Sequence, residues 1–377
     1  MIKVGIDAKW FFTGPPSGRV VVRNLIANLI EQNKGYRLFL FIKSEDFEIA
    51  KKTFDSRVTL INCWGKNNFI SNLFVVPLFA KKYELDIVIF QNFSSLFGRF
   101  KKIVYIHDAL YLDFPQFYTL VERIYLSPIK FLARNSDLII TISENERIRM
   151  ISHHFHQSAN KIKVVYHGVN EVFKPKDVLP LEKLHFVKKK YRIPDKYLLY
   201  VGRLNDRKNL STLLKSVPLI TNKDIKLVIV GTKDWKSSDI SLLINDLKIE
   251  DRLLFTGFVE DEDLPFIYSS AIIFCFPSYA EGFGLPVVEA MASGIPVILS
   301  DKTSLPEIAG DAGFYINHTE PESIANAINI LVSDQELRKE LVQKGIDRSN
   351  EFKWIKSARE ILNILNSFEI SNHDKVS

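Results

Sequence analysis

Two glutamates, Glu281 and Glu289, flank a Gly-Phe-Gly-Leu-Pro turn in the stretch AEGFGLPVVEAM. Paired carboxylates support two kinds of chemistry. They act as acid and nucleophile on a sugar bond, or they accept hydrogen bonds from the hydroxyls of a ligand. Pro286 suits the first turn of a helix, where its missing N–H costs nothing. Glu289 then lies about one turn in and Glu281 stays in the preceding loop, so the two do not share one helix face. Gly282 and Gly284 permit backbone conformations closed to other residues and a close ligand approach. The free N–H groups of the helix start favour a phosphate or a sugar hydroxyl. Carboxylates repel phosphate, so hydroxyls are the expected partners of both glutamates. The plainer alternative is a solvated loop glutamate plus a first-turn glutamate favoured by the helix dipole.

A second cluster is cationic. Val201–Asn209, VGRLNDRKN, follows a strand pattern and leads into a helix, which places Arg203, Arg207 and Lys208 at the carboxyl edge of a sheet. Arg203 offers a planar fork and Lys208 a point charge. His107 ends a strand pattern in YIHD, facing the expected cleft, and Asp108 is read as a cap for the next turn. His153, His154 and His156 in SHHFH have no carboxylate or cysteine at ligand spacing, so a surface role is expected. In the loop TGPPSG before the first helix, Ser17 and Gly18 can offer N–H groups to phosphates. The loop is neither a GxGxxG fingerprint nor a P-loop.

These residues need a scaffold. Short runs rich in Val, Ile and Phe alternate with amphipathic stretches, as in buried parallel sheets. Strands are expected at Lys3–Asp7, Arg37–Ile42, Val58–Asn62, Asp86–Phe90, Ile103–His107, Leu138–Ile142 and Lys163–Tyr166. A second set covers Tyr197–Val201, Lys226–Val230, Leu253–Thr256, Ile272–Cys275, Pro296–Leu299 and Gly313–Ile316. Helices are expected between them, among others over Arg19–Gln32, Tyr118–Arg134 and Trp354–Phe368. The rhythm stops over Glu171–Asp195, a Lys- and Pro-rich interval with room for one short helix at Leu181–Tyr191. The expected division is therefore an N-terminal Rossmann-like domain over 1–175, a linker over 176–195 and a C-terminal domain over 196–353. A helix over 354–377 is expected to return to the first domain. Two doubly wound α/β domains of this kind hold ligands in the cleft between the carboxyl ends of their sheets.

Taken together, VGRLNDRKNL, FPSYAEGFGLPVVEAMASGIPVILSD and LPEIAGDAGFYI, in this order and spacing, resemble the retaining glycosyltransferases of family 4, which have the GT-B fold. Glu281 and Glu289 match the Glu-x7-Glu hallmark. IKVGIDA, IHDALYLDFP, TISENE, VVYHGVNEVF and FKW extend the resemblance along the chain. The resemblance implies that Glu289 binds the ribose of a nucleotide-sugar and that Glu281 contacts the donor sugar. It implies that N–H groups of Gly282, Phe283, Gly284 and Leu285 hold sugar or phosphate oxygens, and that Arg203 and Lys208 neutralise the diphosphate. It places His107 beside the donor sugar. Gly257 and Phe258 resemble the segment that contacts the base, although Phe258 reads equally as core. The glycine-rich loop of the family contacts donor or acceptor, but GPPSG departs from its usual Gly-x-Gly wording. No metal is expected; the donor is a nucleoside-diphosphate sugar, GDP-mannose or a UDP-hexose.

Composition limits the alternatives. With 46% hydrophobic and 25% charged residues the chain reads as soluble and globular. Cys63 and Cys275, each inside an apolar run, read as buried thiols in a reducing compartment. MIKVGIDA lacks the features of a secretory signal. Phe69–Ala80, the most lipid-like segment, is interrupted by Asn72 and Pro77 and is too short to span a bilayer. A cytoplasmic location is expected, with peripheral contact to a membrane. Residues 1–190 carry 29 Lys/Arg against 17 Asp/Glu, whereas the rest of the chain carries 21 against 27. The basic half suits a lipid-linked glycan acceptor and an anionic membrane, with contacts around Phe69–Lys82 and Arg99–Lys102; a solvated surface with uneven charges is the plainer alternative, and nucleic acid is not an expected partner. The principal expectation is a hexosyltransferase that builds surface glycan. A glycoside hydrolase using Glu281 and Glu289, and a non-catalytic sugar-nucleotide-binding subunit, are the competing readings.

Overall fold

The computed structural model describes residues 1–65, 67–232 and 240–373. It divides into two compact units, one holding Met1–Gly168 and the C-terminal stretch from Trp354, the other Val169–Lys353. Each is built on a sheet whose strands are parallel throughout.

The first unit contains β1 (Ile2–Asp7), β2 (Tyr36–Lys43), β3 (Val58–Cys63), β4 (Ile87–Gln91), β5 (Lys101–Tyr105), β6 (Leu138–Thr141) and β7 (Ile162–Val164). Their spatial order is β3-β2-β1-β4-β5-β6-β7. All five residues of β4 are buried, as a strand covered by helices on both faces requires. The second unit contains β8 (Tyr197–Val201), β9 (Lys226–Val230), β10 (Leu253–Gly257), β11 (Ile273–Phe276), β12 (Val297–Ser300) and β13 (Gly313–Ile316), in the order β10-β9-β8-β11-β12-β13. All thirteen expected strands fall on strands, because unbroken runs of β-branched and aromatic residues mark buried parallel strands strongly. In each sheet the order reverses beside the first strand, between β1 and β4 and between β8 and β11. A crevice at such a switch point, outside the carboxyl ends, is where open α/β sheets bind ligands.

Several boundaries differ from expectation. The helical stretch expected over Tyr118–Arg134 is two helices, Leu120–Leu126 and Pro128–Arg134, because Pro128 has no N–H to continue the first. Residues 176–195 are not a free linker but part of the second unit. Their helix Leu181–Lys190 is tied down by Lys190 Nζ and Tyr191 Oη, which donate to the buried Asp263 carboxylate at 2.7 and 3.1 Å. The C-terminal helix, Trp354–His373, packs within the first unit on helix Pro16–Gln32. There Gln32 donates to the Ile355 carbonyl and Ser357 Oγ to the Tyr166 carbonyl. Cys63 and Cys275 are both buried free thiols.

Candidate active site

In the second unit, the loops after β8 and β11 emerge at the switch point, and they are stitched together. Asn209, buried and in the left-handed conformation at φ +56°, donates from Nδ2 to the carbonyls of Pro277 (2.9 Å) and His318 (2.6 Å). Tyr279 N–H and Ser278 Oγ both donate to the Arg207 carbonyl, and the Arg207 guanidinium donates to the Ala280 carbonyl. The loop after β8 is tight for a further reason. Gly231 sits at φ +145°, and a Cβ there would lie 2.0 Å from the Gly202 carbonyl oxygen. No side chain fits that approach.

This frame holds Glu281. Its Oε1 accepts from Lys208 Nζ at 2.7 Å and from Ser278 Oγ at 2.6 Å, while Oε2 faces Arg207 Nη1 at 3.3 Å. Its own N–H donates to Thr303 Oγ1, and Ser304 Oγ donates to its carbonyl. Burial pushes the Glu281 carboxyl up, but Lys208 and Arg207 outweigh it and hold the group ionised, below its ordinary range. Burial pulls the Lys208 ammonium down, and the Glu281 carboxylate opposes that pull. Lys208 Nζ also lies over the Phe276 ring, 4.7 Å from its centre. Thus Lys208 and Glu281 form one charged unit. Arg203 is exposed beside them.

The helix Leu285–Ala292 begins at Gly284, whose φ of +105° and close approach to Leu305 explain the glycine. Pro286 occupies its first turn. Phe283 is buried edge-on against Phe352, so this member of the turn is anchored in the core. Glu289 lies one turn further on, and Tyr268 Oη donates to its Oε2 at 3.0 Å. Its environment is opposite to that of Glu281. Burial pushes the Glu289 carboxyl up to about 7; Tyr268 opposes this and the Asp261 carboxylate reinforces it. Gly257 closes β10 at φ +70°, and Phe258 beyond it is 59% exposed, which removes the core reading for Phe258.

In the first unit, His107 lies two residues past β5, not at its end, because the strand pairing stops at Tyr105. Its N–H donates to Asn92 Oδ1 and its Nε2 pairs with Gln91 Oε1 at 2.8 Å. The ring packs between Trp10 and Tyr105, with centroids 5.2 and 5.3 Å away. Burial pulls its pKa down to about 4, against the attraction of Asp7, so the imidazole is neutral near pH 7. A neutral ring offers hydrogen bonds but no positive charge. Ser17 and Gly18 are not in a loop: the helix starts at Pro16 and includes both. A Cβ on Gly18 would sit 2.8 Å from the Trp10 ring, so this glycine makes room for the indole that packs on His107.

Asp108 stands one residue ahead of the N-cap position of the following turn. That position belongs to Ala109, whose N–H is held by Glu146 Oε2 at 2.8 Å. Glu146 is completely buried, its other oxygen meets Arg149, and Arg149 Nε donates to Asp113 Oδ2 at 2.6 Å. Beneath the switch point, Lys9 Nζ pairs with Asp7 Oδ1 at 2.8 Å, and Asn72 bonds both. Asn72 comes from a π-helical turn, Ser71–Val75. His153 pairs with Asp113 and His156 with the Ser136 carbonyl, and no group of metal-binding side chains occurs among the described residues. Trp10, Gly231, Ser278 and Tyr268 also shape these positions, and motif spacing does not point to them. Only Gly231 carried a local signal, a glycine directly after a strand.

Comparison with known proteins accords with this architecture. Residues 18–173 match glycosyltransferase family 4 and residues 184–348 match the glycosyl transferases group 1 family. O-antigen chain mannosyltransferase B of Escherichia coli is 31% identical over 232 residues, 61% of this chain and 60% of that protein. The aligned region thus spans about three fifths of that relative. Among solved structures, sucrose-phosphate synthase from Thermosynechococcus elongatus superposes with a TM-score of 0.77 at 20% identity, covering 98% of this chain and 100% of the other. Anabaena HepE in complex with UDP-glucose does so at 0.75 and 16%, covering 97% and 100%. Among the described residues, no helix is long and apolar enough to cross a membrane. With both halves of the chain matched and both sheets doubly wound, the chain belongs to the family 4 glycosyltransferases of the GT-B fold.

Proposed function

We propose that the protein transfers a hexose from a nucleoside-diphosphate sugar to a hydroxyl of a surface-glycan or lipid-linked acceptor, with retention of the anomeric configuration. Mannose from GDP-mannose is the first candidate and a UDP-hexose the second. The E. coli relative named as an O-antigen mannosyltransferase supports the first, and the HepE complex with UDP-glucose supports the second. One observation carries the reading: Glu281 is locked onto Lys208 and Arg207 beside the glycine-opened start of the helix that bears Glu289.

In this reading Glu289 accepts from the ribose hydroxyls and Glu281 from a hydroxyl of the donor sugar. The turn Gly282–Leu285 offers N–H groups to sugar or phosphate oxygens. Gly257 and Phe258 meet the base, Arg203 and Lys208 the diphosphate, and the neutral His107 the transferred sugar. Ser17 and Gly18 offer first-turn amides to donor or acceptor. The bond from the anomeric carbon to the phosphate oxygen breaks as the bond to the acceptor oxygen forms on the same face. The acceptor proton passes to a phosphate oxygen of the leaving diphosphate. Fixed cations stabilise the charge that develops there, so no metal is needed.

The split between Glu281 and Glu289 also resembles the acid and nucleophile of a glycosidase. Against it, both Glu281 oxygens face cations, and a carboxylate so engaged is a poor nucleophile. A thermal-shift screen of nucleotide-sugars, followed by incubation with and without acceptor, separates the readings. The expected result is stabilisation by one donor and acceptor-dependent release of nucleoside diphosphate, with product stereochemistry retained. Cleavage of simple glycosides without nucleotide would establish the hydrolase. Donor binding with no turnover on any acceptor would establish the non-catalytic subunit.

Peripheral membrane binding belongs to the same proposal. Ile70, Phe74 and Leu78 are 50%, 50% and 62% exposed, and Phe97 stacks on Phe74, with Lys81, Lys82 and Arg99 nearby in sequence. Co-sedimentation with phosphatidylglycerol vesicles is expected to be strong at low salt and to fall as ionic strength rises. Binding indifferent to lipid charge and salt would refute it.

A further inference from the structure

Beyond the donor-binding elements, a cavity of about 380 Å³ opens in the first unit, between the turn Leu110–Asp113 and the helices Leu120–Leu126 and Pro128–Arg134. Its lining is divided. Leu112, Leu120 and Ile124 supply hydrocarbon, whereas Arg123 and Lys130 supply positive charge. Among the described residues neither cation is seen to make an ion pair or a side-chain hydrogen bond. Of the nearby carboxylates, Glu122 closes a capping box with Thr119, Asp113 holds Arg149 and His153, and Asp108 acts on Tyr111. Arg123 and Lys130 therefore keep no carboxylate partner of their own among the described residues.

Tyr111 adds an independent observation. It lines the cavity, is 5% exposed, and its hydroxyl is buried with no hydrogen-bond partner among the described residues. A buried hydroxyl without a partner is costly unless a ligand supplies one. The helix Leu120–Leu126 exposes Leu120, Val121 and Ile124 to 68%, 76% and 63%, three neighbouring apolar side chains on one short helix.

We propose that this cavity binds the phosphate end of a lipid-linked acceptor. The phosphate meets Arg123 and Lys130, the Tyr111 hydroxyl donates to a phosphate oxygen, and the hydrocarbon lies along Leu120, Val121 and Ile124. The proposal rests on the lipid-linked acceptor of the preceding section and names the group by which that acceptor is held. Tyr111 follows His107 by four residues on one segment, so the site gives the sequence His107–Asp113 a second task, holding acceptor lipid.

Calorimetric titration of the full chain with dodecyl phosphate, below its micellar concentration, tests this. One molecule is expected to bind per chain. The double variant R123S/K130S is expected to weaken binding at least about tenfold, and Y111F about threefold. Inorganic phosphate and the neutral dodecyl maltoside are each expected to bind at least about tenfold more weakly than dodecyl phosphate. Unchanged affinity in the double variant, or equal affinity for dodecyl maltoside, would overturn the proposal; equal affinity for inorganic phosphate would overturn its lipid component. The titration reads binding alone, so its failure leaves the donor assay standing, and a failed donor assay does not alter the titration.

Discussion

Replacing Glu281 with Gln is expected to lower the turnover of hexose transfer by about 10³-fold while leaving the nucleoside diphosphate Kd within about threefold of wild type. The substitution keeps the side-chain volume and a carbonyl for Ser278 Oγ, but it removes the charge that Lys208 and Arg207 share. Two cations then lack their carboxylate. A diphosphate supplies that charge, so nucleotide affinity is retained. The contact with the transferred sugar is lost, and with it the alignment of the anomeric carbon. Lys208 sharpens the test, since burial already disfavours its charged form and Glu281 is what opposes that. Nucleoside diphosphate should therefore raise the Tm of Glu281→Gln more than that of the wild type. Steady-state kinetics beside calorimetric titration with GDP and UDP check both halves. Retained turnover would remove Glu281 from the reaction, and a parallel loss of nucleotide affinity would make it part of the nucleotide site.

The elements that position this site were legible because they depend on local pattern. Strand identity follows from apolar runs, and the start of helix Leu285–Ala292 from Gly284 and Pro286. Roles that depend on distant neighbours were not. The sequence places Lys208 in a basic loop suited to phosphate, but nothing local says that its ammonium bonds a carboxylate 73 residues away. Arg207 stands one position before it and looks equivalent, yet its guanidinium reaches the Ala280 carbonyl and Glu281. By position Gly18 suits a phosphate contact, since glycine before a helix often is one; the Trp10 ring above it supplies a packing reason that spacing alone does not reveal. The residues 176–195 looked like a linker through their Lys and Pro content. Two of those charged and polar side chains, Lys190 and Tyr191, instead converge on one buried aspartate.

The second large effect concerns Glu289, whose carboxyl burial pushes up to about 7. If its ionised form accepts the ribose hydroxyls, nucleoside diphosphate affinity should rise with pH. The ionised fraction goes from about a tenth at pH 6 to about nine tenths at pH 8, so Kd should fall by about tenfold over that interval. Glu289→Gln should abolish this slope, and Glu289→Ala should weaken binding at pH 8 by about tenfold or more. Stability should move the opposite way. An unfolded glutamate ionises near pH 4.5, whereas this one stays protonated in the fold until about 7. The folded state then binds the extra proton between these values, so stability falls as pH rises through that window. The cost reaches at most about 3 kcal/mol above pH 7 and is absent below pH 4.5. Relative to wild type, Glu289→Gln should thus gain Tm at pH 8 but not at pH 4.5, while losing nucleotide affinity at pH 8. A site shaped for its ligand shows this opposition, because the charge that burial disfavours is the one the ribose needs. A pH-independent wild-type Kd, or unchanged nucleotide affinity in Glu289→Ala, would end the ribose assignment.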